Sequence, residues 1–139
     1  MHSPLELVVL MLGTNDFQSM HNYNAWHSAQ GVRSLIASVR QAPIEPGMPI
    51  PQVLLVVPPA IQTPKGPIAP KFEGGENKCL GLAQEYKAVA DEMNCLYFES
   101  GSVTSSSIVD GIHLDKEQHK ELGVALAEKI KERLERDCA

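Results

Sequence analysis

The sequence predicts a single α/β domain, residues 1–139, built on a parallel β-sheet. Three short apolar runs alternate with segments of helical periodicity, and each run stops at turn-forming residues. This alternation favours parallel strands joined by right-handed crossovers. Ligands of such sheets lie at the carboxyl ends of the strands, so chemistry is expected there.

The predicted strands cover residues 5–12, 53–57 and 95–98. The first is a nearly continuous apolar run that ends at Gly13, which is typical of a strand buried on both faces. The second ends at a Pro-Pro pair and the third before a Ser-Gly pair. All three boundaries are therefore marked by residues that favour turns.

Three segments carry apolar residues at helical spacing, at residues 26–39, 82–93 and 122–134. The last segment also has a start signal, because Asp115 can cap its N-terminus and Gln118 follows three residues later. Its stripe of Leu and Ile residues predicts one face packed on the sheet and an opposite face exposed to solvent.

Composition excludes several classes of function. The chain has 43% hydrophobic residues, enough for one core, and a formal net charge of -5 with interspersed signs, which gives no reason to expect binding to nucleic acid. The first apolar run is far shorter than the ~20 residues of a membrane span, and no basic segment precedes it. Cys79, Cys95 and Cys138 have neither disulfide-framework nor metal-ligand spacing, which favours reduced thiols and a cytoplasmic location.

A long loop follows the second strand, from Pro58 to Asn77, and is rich in proline and glycine. Loops at the carboxyl end of a strand border the ligand crevice, so this one is expected to line a substrate cleft. A surface excursion or a contact between subunits is the alternative.

The first candidate site is the Gly13-Thr14-Asn15-Asp16 segment directly after the first strand. Gly13 permits a sharp turn, and the amide of Asn15 can act as a neutral hydrogen-bond donor to an oxyanion. The alternative is a strand-ending turn in which Asp16 caps the next helix.

The second candidate site is the Asp110-Gly111-Ile112-His113 segment, just before the last predicted helix. Across a glycine turn, the Asp110 carboxylate can reach Nδ1 of His113, which leaves Nε2 to take a proton from a hydroxyl nucleophile. An Asp-Gly turn followed by a surface histidine is equally compatible with these residues considered by themselves.

In order and spacing, these two segments resemble the SGNH (GDSL-type) hydrolases. The likeness includes the strand that ends in Pro-Pro and the amphipathic helix after His113. Two further segments, FEGGENK at residues 72–78 and GVALA at residues 123–127, are similar to the bacterial arylesterase and acyltransferase branch.

The resemblance implies a flavodoxin-like three-layer α/β/α fold and a serine esterase that acts on small acyl or aryl esters, with possible acyl transfer and no metal or organic cofactor. By the family's motifs, His113 is the general base, Asp110 orients it, and Asn15 with Gly13 forms the oxyanion turn. The residues expected to contact the acyl group are Thr14, Ile112 and Phe72.

The family's nucleophile lies in a Gly-Asp-Ser segment that should precede Gly13, and no such segment is present. Ser3 stands before a proline at the start of a strand, and the other serines lie on the first helix or in polar loops. The chain is therefore expected to be an N-terminally incomplete domain with no nucleophile of its own and an open edge beside residues 5–12.

Two other functions fit the sequence less directly. A catalytically inactive α/β module could bind a partner, or a second copy of itself, through the open strand edge. A nucleotide or flavin binder is disfavoured, because no glycine-rich phosphate loop follows a strand.

Overall fold

The computed structural model describes residues 4–42 and 46–137. Three strands, β1 (Leu7–Leu10), β2 (Gln52–Val57) and β3 (Leu96–Glu99), form one parallel sheet in the order β1-β2-β3. Leu7 lies opposite Gln52, and Leu54 lies opposite Leu96. The predicted α/β class, the parallel sheet and the three strand positions are confirmed.

The helices follow the predicted alternation. A capping box at the start of the first helix, α1 (Ala25–Gln41), joins Asn24 and His27, because each side chain accepts a hydrogen bond from the other residue's backbone N–H. Three 3₁₀ turns at Thr14–Phe17, Gly66–Phe72 and Ser100–Ser102 occupy the loops. The α-helices are α1 (Ala25–Gln41), α2 (Gly75–Lys78), α3 (Leu82–Glu92) and α4 (Lys116–Asp137).

The central strand β2 is buried on both faces. Val53, Leu55 and Val57 join the main core with buried residues of α1 and α3, which pack against each other. Leu54 and Val56 alternate with them and are also fully buried. Burial of each such side chain contributes about 1.5–3 kcal/mol before entropy is counted, so β2 anchors the loops at its two ends.

The prediction that the first strand is buried on both faces is wrong. Leu7, Val8 and Leu10 are only half-buried, and Val9 is 42% exposed. The reason is position, because β1 pairs with β2 on one side and no other described strand pairs with its far side. The apolar run therefore forms an open sheet edge, as the sequence-based expectation of an open edge requires.

The apolar face of the last helix, α4, is also only partly buried. Along its predicted stripe, Leu122 is buried, Leu126 and Ile130 are half-buried, and Leu134 is exposed. At its start, Gln118 Oε1 accepts from the Asp115 N–H at 2.7 Å, which is half of the predicted capping box. The Asp115 carboxylate instead accepts a hydrogen bond from the hydroxyl of Ser107 at 2.6 Å.

Candidate active site

Both candidate segments belong to loops at one edge of the sheet. Gly13 follows β1, the long loop begins at Pro58 after β2, and the chain that leads to Asp110 leaves β3 at Ser100. Because the three strands are parallel, these loops all start from the carboxyl edge, where the topology predicts a ligand site.

The Asp110–His113 turn holds an acid–base pair. Nδ1 of His113 lies 2.6 Å from Oδ2 of Asp110, while the other carboxylate oxygen accepts from the backbone N–H of Ile112 at 2.8 Å and of His113 at 3.0 Å. An ionised carboxylate only accepts, so Nδ1 carries the hydrogen and Nε2 is left with its lone pair. The His113 ring is 58% exposed, which leaves it accessible to a reacting group.

The ionised state of Asp110 is favoured by this geometry. Its partial burial acts to raise its pKa, but the hydrogen bonds from the His113 ring and from the backbone N–H groups of Ile112 and His113 outweigh that effect. The pKa of Asp110 therefore lies below its ordinary value, and the carboxylate is negative at neutral pH.

Glycine is required at position 111. Gly111 has φ +79°, and a Cβ added there would lie 2.6 Å from the carbonyl oxygen of Thr63. Its N–H donates to the Ser107 carbonyl at 2.7 Å, and its own carbonyl accepts from the N–H of Gln62 at 2.8 Å. The turn is thus locked between its own segment and the long loop.

The Gly13–Asp16 segment forms a tight turn after β1. Gly13 has φ 138°, and its carbonyl accepts from the N–H of Asp16 at 3.0 Å. Phe17 is fully buried and anchors the turn to the core. Asn15 lies exposed, with its Oδ1 accepting from Nε2 of Gln18 at 3.3 Å, so its amide NH₂ is the group presented for a further contact.

A cavity of about 380 Å³ opens beside this turn. Its walls come from three elements: the end of β1 with the following turn, one side of α1, and Pro58. Thr14 and Asn15 line it, whereas Asp110 and His113 do not, and contact of Thr14 and Asn15 with a ligand stays a prediction. This cavity therefore borders only the first of the two candidate segments.

The long loop is bonded both to Asp110 and to the residues just after Asp16, which the sequence does not predict. At one end the N–H of Lys65 donates to the Asp110 carbonyl at 3.0 Å. At the other end the Ser19 N–H donates to the Lys71 carbonyl at 2.7 Å. Just after the loop, Nζ of Lys78 donates to carbonyls of the residues that follow Asn15, including that of Gln18 at 3.2 Å. The loop thus contacts the Asp110–His113 segment directly and the Gly13–Asp16 segment through the residues that follow it.

Two of the predicted acyl-contacting residues lie in the core. Ile112 and Phe72 are both in the main hydrophobic cluster, with Phe72 1% exposed. Their contact with an acyl group stays a prediction, and their packing explains instead how the Asp110–His113 turn and the long loop are fixed in place.

Among the described residues, no serine hydroxyl is hydrogen-bonded to His113. Ser106 and Ser107 are buried, and their hydroxyls donate to the Ala60 carbonyl and to Asp115. Ser100 is also fully buried. Ser3 lies outside the described residues.

The cysteines and the other ionisable groups add no second site. Cys79 is buried and Cys95 half-buried, both as free thiols, and Cys138 lies outside the described residues. Burial raises the pKa of the Cys79 thiol, which keeps it protonated. In residues 4–42 and 46–137, no three His, Cys, Asp or Glu side chains are grouped closely enough to bind a metal ion, and none of the helices combines the length and apolarity of a membrane span.

Solved structures similar to the chain include esterases. The M. smegmatis aryl esterase is 40% identical with a TM-score of 0.86, and a carbohydrate acetylesterase from Sinorhizobium meliloti is 37% identical with a TM-score of 0.87. Each match covers 94% of this chain but 62% of the other, so the chain spans less than two thirds of the proteins it resembles. No protein-family model matches the chain, and no curated protein sequence does either.

Proposed function

Because the chain belongs to the SGNH hydrolase family, we propose that it supplies the acid–base pair and the oxyanion donor of a serine esterase that acts on small carboxylic esters. The observation that carries this proposal is the 2.6 Å contact between Nδ1 of His113 and Oδ2 of Asp110, which leaves Nε2 able to accept a proton.

In the proposed reaction, a serine Oγ attacks the ester carbonyl carbon while Nε2 of His113 takes the hydroxyl proton. The tetrahedral intermediate then loses its alcohol, which receives that proton from His113, and an acyl-serine remains. Water repeats the attack with His113 again as base, releasing the acid and restoring the serine. An alcohol in place of this water would give acyl transfer. Asp110 stays ionised throughout and stabilises the imidazolium ring.

The amide NH₂ of Asn15 is proposed to donate to the oxyanion of both tetrahedral intermediates. One such donor contributes about 3 kcal/mol of transition-state stabilisation in acyl transfer. Two observations support this role: Oδ1 of Asn15 is already occupied by Gln18, and the side chain borders the cavity next to β1. Thr14 lines the same cavity and is proposed to contact the acyl group.

The nucleophilic serine is proposed to lie on a segment outside these 139 residues. This is supported by the lack of a described serine at His113 and by the 62% coverage of the similar esterases. We use the name extended protein for this chain preceded by a segment that carries the family's Gly-Asp-Ser block.

Ester hydrolysis by the extended protein tests the proposal. With p-nitrophenyl acetate as substrate, we expect turnover by the extended protein and serine labelling by a fluorophosphonate, while the 139-residue chain shows neither. The His113→Ala variant of the extended protein should lose several orders of magnitude in kcat. Full activity in that variant would show that His113 is not the base, and robust turnover by the 139-residue chain would refute the external serine.

The exposed edge of β1 favours a second candidate function. Leu5, Val9 and Leu12 are each more than 40% exposed on or beside a strand with one open edge, which invites pairing with another chain. In this alternative the chain is an inactive module that binds a partner or a second copy. Sedimentation of the purified chain separates the two cases: a compact dimer favours the module, and heterogeneous aggregate contradicts it.

A further inference from the structure

We propose that Tyr86 is a positioning residue that fixes the Asn15 turn from within the core, through Leu12 and through Ser28 and Asp16. The inference rests on the proposed oxyanion role of Asn15 and concerns residues on α1 and α3 that neither sequence motif contains. Its basis is a buried chain of hydrogen bonds that reaches both ends of the turn.

The hydroxyl of Tyr86 donates to the carbonyl of Leu12 at 2.7 Å, immediately before Gly13. The same hydroxyl lies 2.8 Å from Oγ of Ser28, and this Oγ lies 2.8 Å from Oδ2 of Asp16. The two hydroxyl hydrogens are shared among these three contacts, so two of the contacts are hydrogen bonds at any moment. One tyrosine on α3 is thereby connected to the residue before the turn and, through α1, to the residue after Asn15. Asn15 sits between the two fixed points.

The two hydroxyl-bearing residues of the network lie in the core. Tyr86 is fully buried and Ser28 is 2% exposed. Burial, together with the nearby Asp16 carboxylate, raises the pKa of Tyr86 to about 12, although the hydrogen bond with Ser28 acts to lower it. The phenol therefore stays protonated at neutral pH and keeps its donor. Hydrogen bonds in such surroundings are stronger than those exposed to water.

Gly13 is adapted to this arrangement. A Cβ at position 13 would lie 2.3 Å from the Tyr86 hydroxyl and 3.0 Å from Oγ of Ser28, and Gly13 has φ +138°. The backbone at the turn thus approaches the two hydroxyls so closely that only glycine fits. Gly13 and Tyr86 therefore pack closely together, although more than seventy residues separate them in the sequence.

Position matters for an oxyanion donor, because it stabilises the transition state only if it is already aimed where negative charge develops. Asn15 is exposed and bonded through its side chain only to Gln18, an exposed contact of 3.3 Å. Such a contact orients the amide but cannot fix the backbone beneath it. The buried bonds to Leu12 and Asp16 perform that task, so their loss should lower kcat more than it raises KM.

Tyr86→Phe removes one oxygen atom and tests the proposal in the extended protein. We expect kcat for p-nitrophenyl acetate to fall about tenfold with KM changed less than about twofold, because small displacements of catalytic groups cost up to about 10²-fold. Tyr97→Phe is the matched control. Its hydroxyl also donates to a backbone carbonyl, that of Ala83 at 3.1 Å, and its ring packs against the same core, but it touches neither end of the turn.

A second readout uses the 139-residue chain and does not depend on activity. In ¹⁵N–¹H spectra, the side-chain NH₂ signal of Asn15 should shift or broaden in Tyr86→Phe and remain in place in Tyr97→Phe. If Tyr86→Phe does not fold, Ser28→Ala takes the same two measurements, since it retains the Tyr86–Leu12 bond and removes the contacts of Ser28 with Tyr86 and Asp16.

The outcomes separate this inference from the proposed function. An extended protein with no esterase activity would refute the proposed function, and the Asn15 signal would then decide the positioning role. An unmoved Asn15 signal in Tyr86→Phe, or a kcat no lower than that of Tyr97→Phe, would overturn the inference. A rise in KM with unchanged kcat would do the same.

Discussion

The substitution Asp110→Asn tests the acid–base pair most directly. The asparagine carbonyl can occupy the position of Oδ1 and still accept from the backbone N–H groups of Ile112 and His113. The NH₂ group then replaces Oδ2 and donates to Nδ1 of His113. The ring must place its hydrogen on Nε2, which becomes unable to accept a proton from serine.

The expected loss follows from this geometry. The equivalent change in a well-studied serine protease lowers kcat by about 10⁴-fold through the wrong tautomer. Here the His113 ring is 58% exposed and Asp110 22% exposed, so water can compete for Nδ1 and weaken the tautomer preference. We therefore expect a loss of about 10³-fold, equivalent to roughly 4 kcal/mol of transition-state stabilisation. The free energy of unfolding should fall by only about 1 kcal/mol, because both backbone contacts are kept.

The assay compares kcat/KM for p-nitrophenyl acetate in the extended protein and in its Asp110→Asn variant. Asp91→Asn is the control, since Asp91 forms an exposed ion pair with Lys87 on α3 and is not in contact with either candidate segment. We expect the control to retain full activity. Retention of more than a tenth of kcat/KM by Asp110→Asn would show that the carboxylate does not set the His113 tautomer.

Three further predictions concern stability and association. Because the pKa of Asp110 lies below its ordinary 3.8, its contribution to stability is complete above about pH 4 and disappears as the pH falls below that value. Below about pH 4, the free energy of unfolding by denaturant should therefore depend less on pH in Asp110→Asn than in the unchanged protein. Gly111→Ala should cost about 3 kcal/mol by thermal unfolding against about 1 kcal/mol for Gly81→Ala, since both have similar positive φ but only position 111 meets a backbone carbonyl. Val9→Lys on the open edge of β1 should reduce self-association in sedimentation velocity, and unchanged association would place the contact elsewhere.

The fold was predictable where the pattern is local. Strand β2 is a continuous apolar run because both of its faces are covered, and the sequence predicts it correctly. The run at β1 has the same composition, yet Val9 is 42% exposed. Sequence periodicity reports what a strand can bury, whereas the burial it achieves depends on its neighbours in the sheet.

The candidate site was likewise predictable where its residues are close together in the sequence, and not where they are far apart. Asp110 and His113 are three residues apart, so one turn brings them together and their spacing is visible in the sequence. Tyr86 reaches the Gly13 turn across 74 positions, and its helical spacing marks it only as a core residue. Such distant hydrogen bonds have no sequence signature, and the bonds of the long loop to Asp110 and Ser19 were missed for that reason.

The two candidate segments are held in place by different parts of the fold. This difference affects how the site could function with a serine from another segment. The Asp110–His113 pair is set by one glycine turn and by backbone bonds to the loop, so it needs little from β1. The Asn15 turn depends on the packing of α1 against α3 and on the end of β1, the strand with an open edge. A segment that pairs with β1 would cover this edge and bring its own end close to Gly13, since parallel strands end at the same side of a sheet. A nucleophile that enters on such a segment would therefore meet an Asn15 turn and an acid–base pair that the described residues already hold in place.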